Sequence, residues 1–228
     1  GFDGIIIKGK APKPVYIWID DGNVEIRDAS GIWGKDTYEL DNILRKQLGD
    51  DVKVMSIGIG GENLVKFASI MTDGKDARAA GRCGVGAVMG SKNLKAIVVR
   101  GTKNVEVVDD NLLSSSIKEV APKVVAATAG MNKYGTASGV IGHESYGNFC
   151  LGNWAVSRWP EGAEKISGQR MAETILVKNY RCKNCIIGCG RVVKIESGPF
   201  AGVEGAGPEY ETLGTLGGLC LIDNLEAI

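Results

Sequence analysis

The sequence carries no excess of charge of either sign, because 27 Lys and Arg residues balance 27 Asp and Glu residues. A protein that binds nucleic acid needs a basic excess or a basic stripe, so the balance argues against that class. The sequence also contains no apolar run of the roughly 18–20 residues that a membrane helix requires. No basic and then apolar leader opens it. We therefore expect a protein that binds neither nucleic acid nor a membrane.

Histidine is almost missing, since His143 is the single one in 228 residues. Cysteine is better represented, and three of the six cysteines fall within residues 182–189. In a chain of this length, such clustering favours metal binding in a reducing cytoplasm over a disulfide framework. Glycine is abundant at 33 residues, about twice its usual share. It concentrates in residues 58–61, 81–90 and 198–218, which suggests that the backbone approaches a ligand closely.

The order of apolar patterns predicts an α+β fold. The patterns typical of strands lie in the first hundred residues, at 5–7, 15–19, 24–27, 52–59 and 96–99. An Asp-Gly-Asn turn after residue 20 favours a hairpin there. The helical patterns lie at 36–48 (capped by Asp36 or Thr37), 62–71, 112–129 (broken at Pro122) and 163–179. We therefore divide the chain into a β-rich domain, 1–105, and a mainly helical domain, 106–228.

Cys182, Cys185 and Cys189 form the pattern C-x2-C-x3-C. Short spacings of this kind let successive thiolates surround one inorganic core, and a cubane iron–sulfur cluster needs four protein ligands. Structural zinc sites usually show two separated cysteine pairs or histidines, so zinc is the less favoured alternative. Three buried structural thiols are less favoured still. The fourth ligand is left open between Cys150, Cys220 and a residue beyond position 228.

Residues 78–95 combine glycines with the cations Arg78, Arg82, Lys92 and Lys95. Half of a dinucleotide-binding fingerprint is present, but its third glycine comes one residue late and the segment precedes a strand. A Walker A loop would need Gly-Lys-Ser or Gly-Lys-Thr, whereas residues 90–92 read Gly-Ser-Lys. Exposed backbone N–H groups beside cations suit an anionic, phosphate-bearing cofactor. A tight structural crossover with solvated cations is the alternative.

Four segments closely resemble the aldehyde ferredoxin oxidoreductase family, in the family's order: residues 60–65, 78–101, the cysteine cluster and 207–212. The opening residues, 1–10, are also similar to a family segment. The resemblance covers nearly the whole chain, and linked motifs are far more specific than any one of them. It implies an internal slice of a longer protein. Residues 1–105 would be the second half of a β-rich pterin-cradling domain, and 106–228 the start of the mainly helical domain that carries the iron–sulfur ligands.

The resemblance also implies the cofactors. Family members bind tungsten, or molybdenum, through the dithiolenes of two pterins, next to a [4Fe–4S] cluster, and Mg²⁺ is a candidate bridge between the pterin phosphates. Carried over by position, Arg78, Ala79, Gly81 and Arg82 resemble pterin contacts. Cys83 stands where the family commonly has glycine. The later pterin motifs and the fourth cluster cysteine would lie after residue 228.

Glu211 resembles the family's active-site carboxylate and would transfer a proton. If residues 208–212 are extended, Glu209 shares a face with Glu211 and would support it, whereas a surface loop would leave both without a role. The implied function is oxidation of an aldehyde to a carboxylic acid, with electrons leaving through the cluster to ferredoxin, in a cytoplasmic protein that could form homo-oligomers. One alternative is a tungsten-dependent subunit that reduces an aromatic acyl-CoA. Others are an electron-transfer module without its own substrate and a zinc-stabilised binding protein. The slice alone is expected to be inactive.

Overall fold

The computed structural model describes residues 4–74 and 78–228, and the chain divides into two compact units, residues 1–106 and 107–228. The first unit is built on six strands: β1 (Val15–Asp20), β2 (Asn23–Asp28), β3 (Lys53–Ser56), β4 (Ile70–Thr72), β5 (Arg78–Ala80) and β6 (Leu94–Arg100). Their order in the sheet is β2-β1-β6-β3-β4-β5, so β2 and β5 form its edges. Strand β6 runs parallel to β1 and antiparallel to β3.

The predicted hairpin is confirmed, and its turn has the expected chemistry. Strands β1 and β2 pair antiparallel, with Ile17 opposite Ile26. The two residues between them, Asp21 and Gly22, have φ values of 48° and 97°. A two-residue hairpin turn with both φ values positive matches the right-handed twist of its strands, and Asp-Gly is a preferred pair for it.

The first unit also contains the helices α1 (Thr37–Leu48), α2 (Ile59–Glu62) and α3 (Val85–Ser91). The predicted helix at 36–48 is confirmed as α1, whose N-cap carboxylate on Asp36 accepts a hydrogen bond from the Glu39 backbone N–H at 2.8 Å. Its side chains Leu40 and Leu44 are completely buried against one face of the sheet. Apolar side chains on the other face pack around Met89 of α3.

Two predicted elements of the first unit are wrong. The pattern at 62–71 forms no helix, because the chain leaves the four-residue α2 at Asn63 and Leu64 adopts a left-handed φ of 57°. Residues 5–7 form no strand, and the side chains of Ile5 and Ile6 are exposed. Residues 1–3 of the opening segment lie outside the described residues.

The second unit is mainly helical. It contains α4 (Asp110–Ala127), α5 (Ala129–Tyr134), α6 (Val140–Ser145), α7 (Pro160–Lys165), α8 (Gly168–Thr174) and α9 (Tyr210–Thr212), with a π-helical segment at Leu213–Gly218. A three-stranded antiparallel sheet joins them, in the order β7 (Leu176–Tyr180), β8 (Gly190–Lys194) and β9 (Glu204–Ala206). Buried Phe149, Ile166, Met171 and Leu213 belong to its core. Helices and sheets together confirm the α+β fold class.

Two boundaries in this unit differ from the predictions. Helix α4 continues through Pro122, although a proline removes one N–H donor from a helix. The pattern at 163–179 divides because Ser167 starts a new helix, accepting a hydrogen bond from the Arg170 N–H at 3.1 Å. The chain then turns into β7 from Leu176. None of the helices within the described residues is both long and apolar enough to cross a membrane.

Candidate cofactor site and thiol loop

The four residues predicted to contact a pterin lie on one continuous segment at the edge of the large sheet. Arg78 and Ala79 belong to the edge strand β5, and Gly81 and Arg82 follow it directly. Arg78 is half-buried, whereas the other three are exposed. A Cβ placed on Gly81 would come no closer than 4.0 Å to a side chain. The backbone face at this position is therefore open, as the approach of a cofactor requires.

Cys83 adopts a backbone conformation that glycine takes without cost. Its φ is 68°, and Gly84 follows with a φ of 65°, so the chain turns sharply before α3. A glycine preference at position 83, which the family resemblance indicates, therefore has a local conformational cause.

Two glycines of α3 let this helix pack closely against neighbouring backbone. A Cβ at Gly90 would lie 1.9 Å from the carbonyl oxygen of Gly61, and one at Gly86 would lie 2.4 Å from that of Ser69. Both positions are buried by protein backbone. The expectation that the glycines of 81–90 bring the backbone close to a ligand is thus wrong for Gly86 and Gly90. Gly90 lets α3 pack closely on α2, and Gly86 lets α3 pack on the backbone at Ser69.

Two of the four predicted phosphate-binding cations are engaged within the protein. The ammonium group of Lys95 is completely buried, where it pairs with Glu62 and donates to the Lys35 carbonyl at 2.8 Å. The Lys92 ammonium donates to the Gly9 carbonyl at 3.1 Å. Lys95 is therefore not available to a cofactor, because its charge is buried against Glu62. The roles of Arg78 and Arg82 as cofactor contacts stay predictions.

The three clustered cysteines occupy the loop between the antiparallel strands β7 and β8, and all three thiols are free. The Cys185 N–H donates to the Cys182 carbonyl at 3.0 Å, which starts the turn. Backbone N–H groups of Gly188 and Ile187 lower the pKa of the Cys185 thiol by hydrogen bonding to its sulfur. Backbone donors around a sulfur favour the thiolate, the form in which cysteine binds metals.

These thiols fit a thiolate-ligated group in chemistry but do not form a closed metal site. Within residues 4–74 and 78–228, no three His, Cys, Asp or Glu side chains converge in a way that could hold a metal ion. The assignment of Cys182, Cys185 and Cys189 as ligands therefore stays a prediction. The thiols of the other two candidate ligands donate to backbone carbonyls, Cys150 to Gly214 at 3.1 Å and Cys220 to Thr215 at 3.6 Å.

The segment around Glu211 is helical where the sequence allowed an extended chain. Glu209 has an extended backbone, but Tyr210–Thr212 form the helical turn α9, so the condition for Glu209 and Glu211 to share a face is not met. The Glu209 carboxylate accepts a hydrogen bond from the Thr136 hydroxyl at 2.5 Å. Glu211 is exposed. Its role in proton transfer stays a prediction.

Tyr210, between Glu209 and Glu211 in the sequence, contacts three residues of the second unit. Its N–H donates to the Thr136 hydroxyl at 3.0 Å, and its ring centroid lies 5.0 Å from that of His143 and 5.9 Å from that of Phe149. Burial raises the pKa of Tyr210, and the nearby Cys150 and Glu211 add to this effect. Thr136 and His143 were missed as neighbours of this segment, because their contacts span more than 60 residues of sequence.

An α+β chain with an Arg-and-Gly edge and a loop of three thiols has groups that suit an anionic cofactor and a thiolate-ligated metal group. Comparison with known proteins gives the family. The model described as "Aldehyde ferredoxin oxidoreductase, N-terminal domain" matches residues 1–101, and "Aldehyde ferredoxin oxidoreductase, domains 2 & 3" matches residues 113–228. The chain belongs to the aldehyde ferredoxin oxidoreductase family.

Several relatives support this membership. The tungsten-containing aldehyde ferredoxin oxidoreductase of Pyrococcus furiosus is 47% identical over 232 residues, and that of Thermococcus kodakarensis is 44% identical. Each match covers 100% of this chain and 37% of the relative. The aliphatic sulfonate oxidoreductase, WOR-like subunit, of P. furiosus is 34% identical over 95% of this chain and 36% of its own length. The chain thus spans little more than a third of the length of these proteins.

A solved structure shares the fold. It is the active site complex BamBC of benzoyl coenzyme A reductase in complex with 1,5-dienoyl-CoA. The match covers 96% of this chain and 34% of the chain in that structure, with a TM-score of 0.75 and 29% sequence identity.

Proposed function

We propose that the full-length protein oxidises aldehydes to carboxylic acids at a tungsten, or molybdenum, bis-pterin centre and passes the electrons through a [4Fe–4S] cluster to ferredoxin. The observation that carries the proposal is the 47% identity to a tungsten-containing aldehyde ferredoxin oxidoreductase along the whole chain. Oxidation of an aldehyde with one water yields the acid, two protons and two electrons. The metal–pterin centre would supply the redox chemistry, and the protein supplies binding, orientation and proton transfer.

In this proposal, the open edge formed by Arg78, Ala79, Gly81 and Arg82 binds the pterin. The guanidinium groups would donate to phosphate oxygens, with Mg²⁺ as a further counter-ion, and the open face of Gly81 would let the ring approach the backbone. Cys182, Cys185 and Cys189 would ligate the cluster, and its fourth ligand would come from outside residues 1–228. Six free cysteines fit a cytoplasmic protein, since a reducing compartment keeps thiols free.

Glu211 would accept a proton as the aldehyde carbon is oxidised. Glu211 is exposed in this chain and lies in the helical turn α9, where its backbone carbonyl accepts a hydrogen bond from the Thr215 hydroxyl at 2.8 Å. The π-helical segment that begins at Leu213 follows directly, and π-helical turns are frequent at functional sites.

The test is an activity assay on the full-length protein purified without oxygen. Wild type should convert aldehydes to acids and reduce ferredoxin. The Glu211→Gln variant should lose about 10²–10⁴-fold in kcat, the range for removal of a general acid or base. Glu204→Gln, on exposed β9, is the matched control and should keep wild-type kcat. An unchanged kcat in Glu211→Gln would remove Glu211 from the mechanism.

The second candidate is reduction of an aromatic acyl-CoA, which the fold shared with the benzoyl coenzyme A reductase complex favours. The lower identity, 29% against 47%, ranks it second. Reduction of benzoyl-CoA by the same preparation, without turnover of any aldehyde, would reverse this order.

A further inference from the structure

A single buried guanidinium organises the thiol loop. Arg191, near the start of β8, is 4% exposed. Its Nε donates to the Cys189 carbonyl at 3.2 Å, and its Nη2 donates to the Gly188 carbonyl at 2.9 Å. Arg191 thus binds the last two residues of the loop that precede β8.

The same guanidinium ties this loop to the end of α5. Nη2 donates to the Asn132 carbonyl at 2.7 Å and, at 3.5 Å, to that of Met131, and Nη1 donates to the Lys133 carbonyl at 3.1 Å and to Oδ1 of Asn179 at 2.8 Å. Asn132 reinforces the link, because its side-chain amide donates to the Ile187 carbonyl at 2.5 Å.

The charge of Arg191 is not balanced by the groups it contacts. Its six acceptors are five backbone carbonyls and one side-chain amide, all neutral. Among the described residues, the acidic groups whose charged forms would stabilise the Arg191 cation are Cys189 and Glu209. A buried cation is costly unless an anion compensates it. A thiolate ligand at Cys189 would provide that compensation, and a cluster bound there would add to it.

We propose that Arg191 is a positioning residue that holds the Cys182–Cys189 loop in shape and raises the reduction potential of the cluster bound there. The inference rests on the proposed function, because it requires a cluster on these thiols. A thiolate-ligated cluster is anionic and becomes more so when it takes up an electron, so a nearby buried cation stabilises the reduced state. Hydrogen bonding and net charge are the levers by which a protein sets such a potential.

The experiment is a redox titration of the full-length protein, followed by the EPR signal of the reduced cluster. Arg191→Gln removes the charge, and at a fixed potential its ratio of reduced to oxidised cluster should fall about tenfold, equivalent to about 59 mV for a one-electron couple. Arg191→Lys keeps the charge and should stay within twofold of wild type. Lys183→Gln, which removes an exposed charge between two of the cysteines, is the control and should also stay within twofold, because solvent screens it.

The positioning role has its own readout, the rate of iron loss to a chelator. Both Arg191 variants should lose iron faster than wild type, because neither side chain can satisfy all six acceptors. Asn132→Ala should do so too, with an unchanged potential. Equal shifts in the ratio of reduced to oxidised cluster in Arg191→Gln and Lys183→Gln overturn the proposal. A tenfold shift of that ratio in Arg191→Lys does so too.

If Arg191→Gln retains no cluster, the Lys and Asn132 variants decide. A reduction potential equal to that of wild type together with faster iron loss in Arg191→Lys and Asn132→Ala supports the positioning role of Arg191. Iron retention equal to that of wild type in both variants overturns it. Absence of any cluster from wild type would instead refute the proposed function, so the two failures are distinguishable.

Discussion

Removal of the ammonium group of Lys95 should destabilise the first unit strongly. The side chains of Lys95 and Glu62 are 0% and 5% exposed. Both Glu62 carboxylate oxygens also accept the Gly34 N–H at 2.9 Å, and Lys95 donates to the Lys35 carbonyl. Lys95→Met leaves the Glu62 carboxylate buried without its counter-charge, which typically costs about 3–5 kcal/mol.

The cost should depend on burial and on the charge that is left behind. Lys35→Met breaks an ion pair with Glu39 in the same unit, but those side chains are 40% and 47% exposed, so about 0.3–0.5 kcal/mol is expected. Adding Glu62→Gln to Lys95→Met should recover part of the loss, because no buried charge then remains.

The assay is urea unfolding of the full-length protein, followed by tryptophan fluorescence. Trp33 is a suitable probe, because its ring centroid lies 6.0 Å from the Lys95 ammonium nitrogen. A loss below about 1 kcal/mol in Lys95→Met, or a double variant as unstable as the sum of the two single changes, would refute the reasoning.

Three further predictions concern packing and titration. Gly90→Ala should unfold at a markedly lower temperature than wild type, because the new Cβ would lie 1.9 Å from a carbonyl oxygen of α2. Gly142→Ala, with open space around the new Cβ, is the control and should be neutral or up to about 1 kcal/mol more stable. Equal melting temperatures of the two variants would contradict this. In protein stripped of metal, alkylation of the Cys185 thiol should reach half its maximal rate below pH 9.0, since two backbone N–H groups lower its pKa. Mass spectrometry of the labelled peptide measures this rate. A midpoint at or above pH 9.0 would contradict the hydrogen bonds to the Cys185 sulfur. The Arg158 guanidinium and the Trp159 N–H lower the pKa of the Glu144 carboxyl below 4.5. The contribution of Glu144 to stability is therefore complete above pH 4.5 and is lost as the pH falls through the lowered pKa. The difference in unfolding free energy between wild type and Glu144→Gln should shrink on acidification, and a constant difference would contradict the prediction.

The features that could be predicted from the sequence are those with local causes. The hairpin at Asp21 and Gly22 and the cap of α1 at Asp36 depend on residues within a few positions of each other. The contact between α2 and α3 could not be predicted, because the requirement for Gly90 comes from the carbonyl of Gly61, 29 positions earlier.

The candidate site also combines features with local causes and features that depend on residues distant in the sequence. The cysteine spacing and the segment 78–82 are visible in the sequence as motifs. Arg191 is not, because its acceptors come from α5, β7 and the thiol loop, which only the folded chain brings together. Lys95 looked like a ligand-binding cation for a related reason, since its partner Glu62 lies 33 residues away.

The most direct test of the central claim is metal analysis combined with EPR on the full-length protein purified without oxygen. The proposed function predicts tungsten, or molybdenum, together with about four iron atoms per chain and an EPR signal from the reduced cluster that disappears in Cys185→Ser. A colourless protein that retains zinc and contains neither iron nor a pterin-bound metal would contradict it.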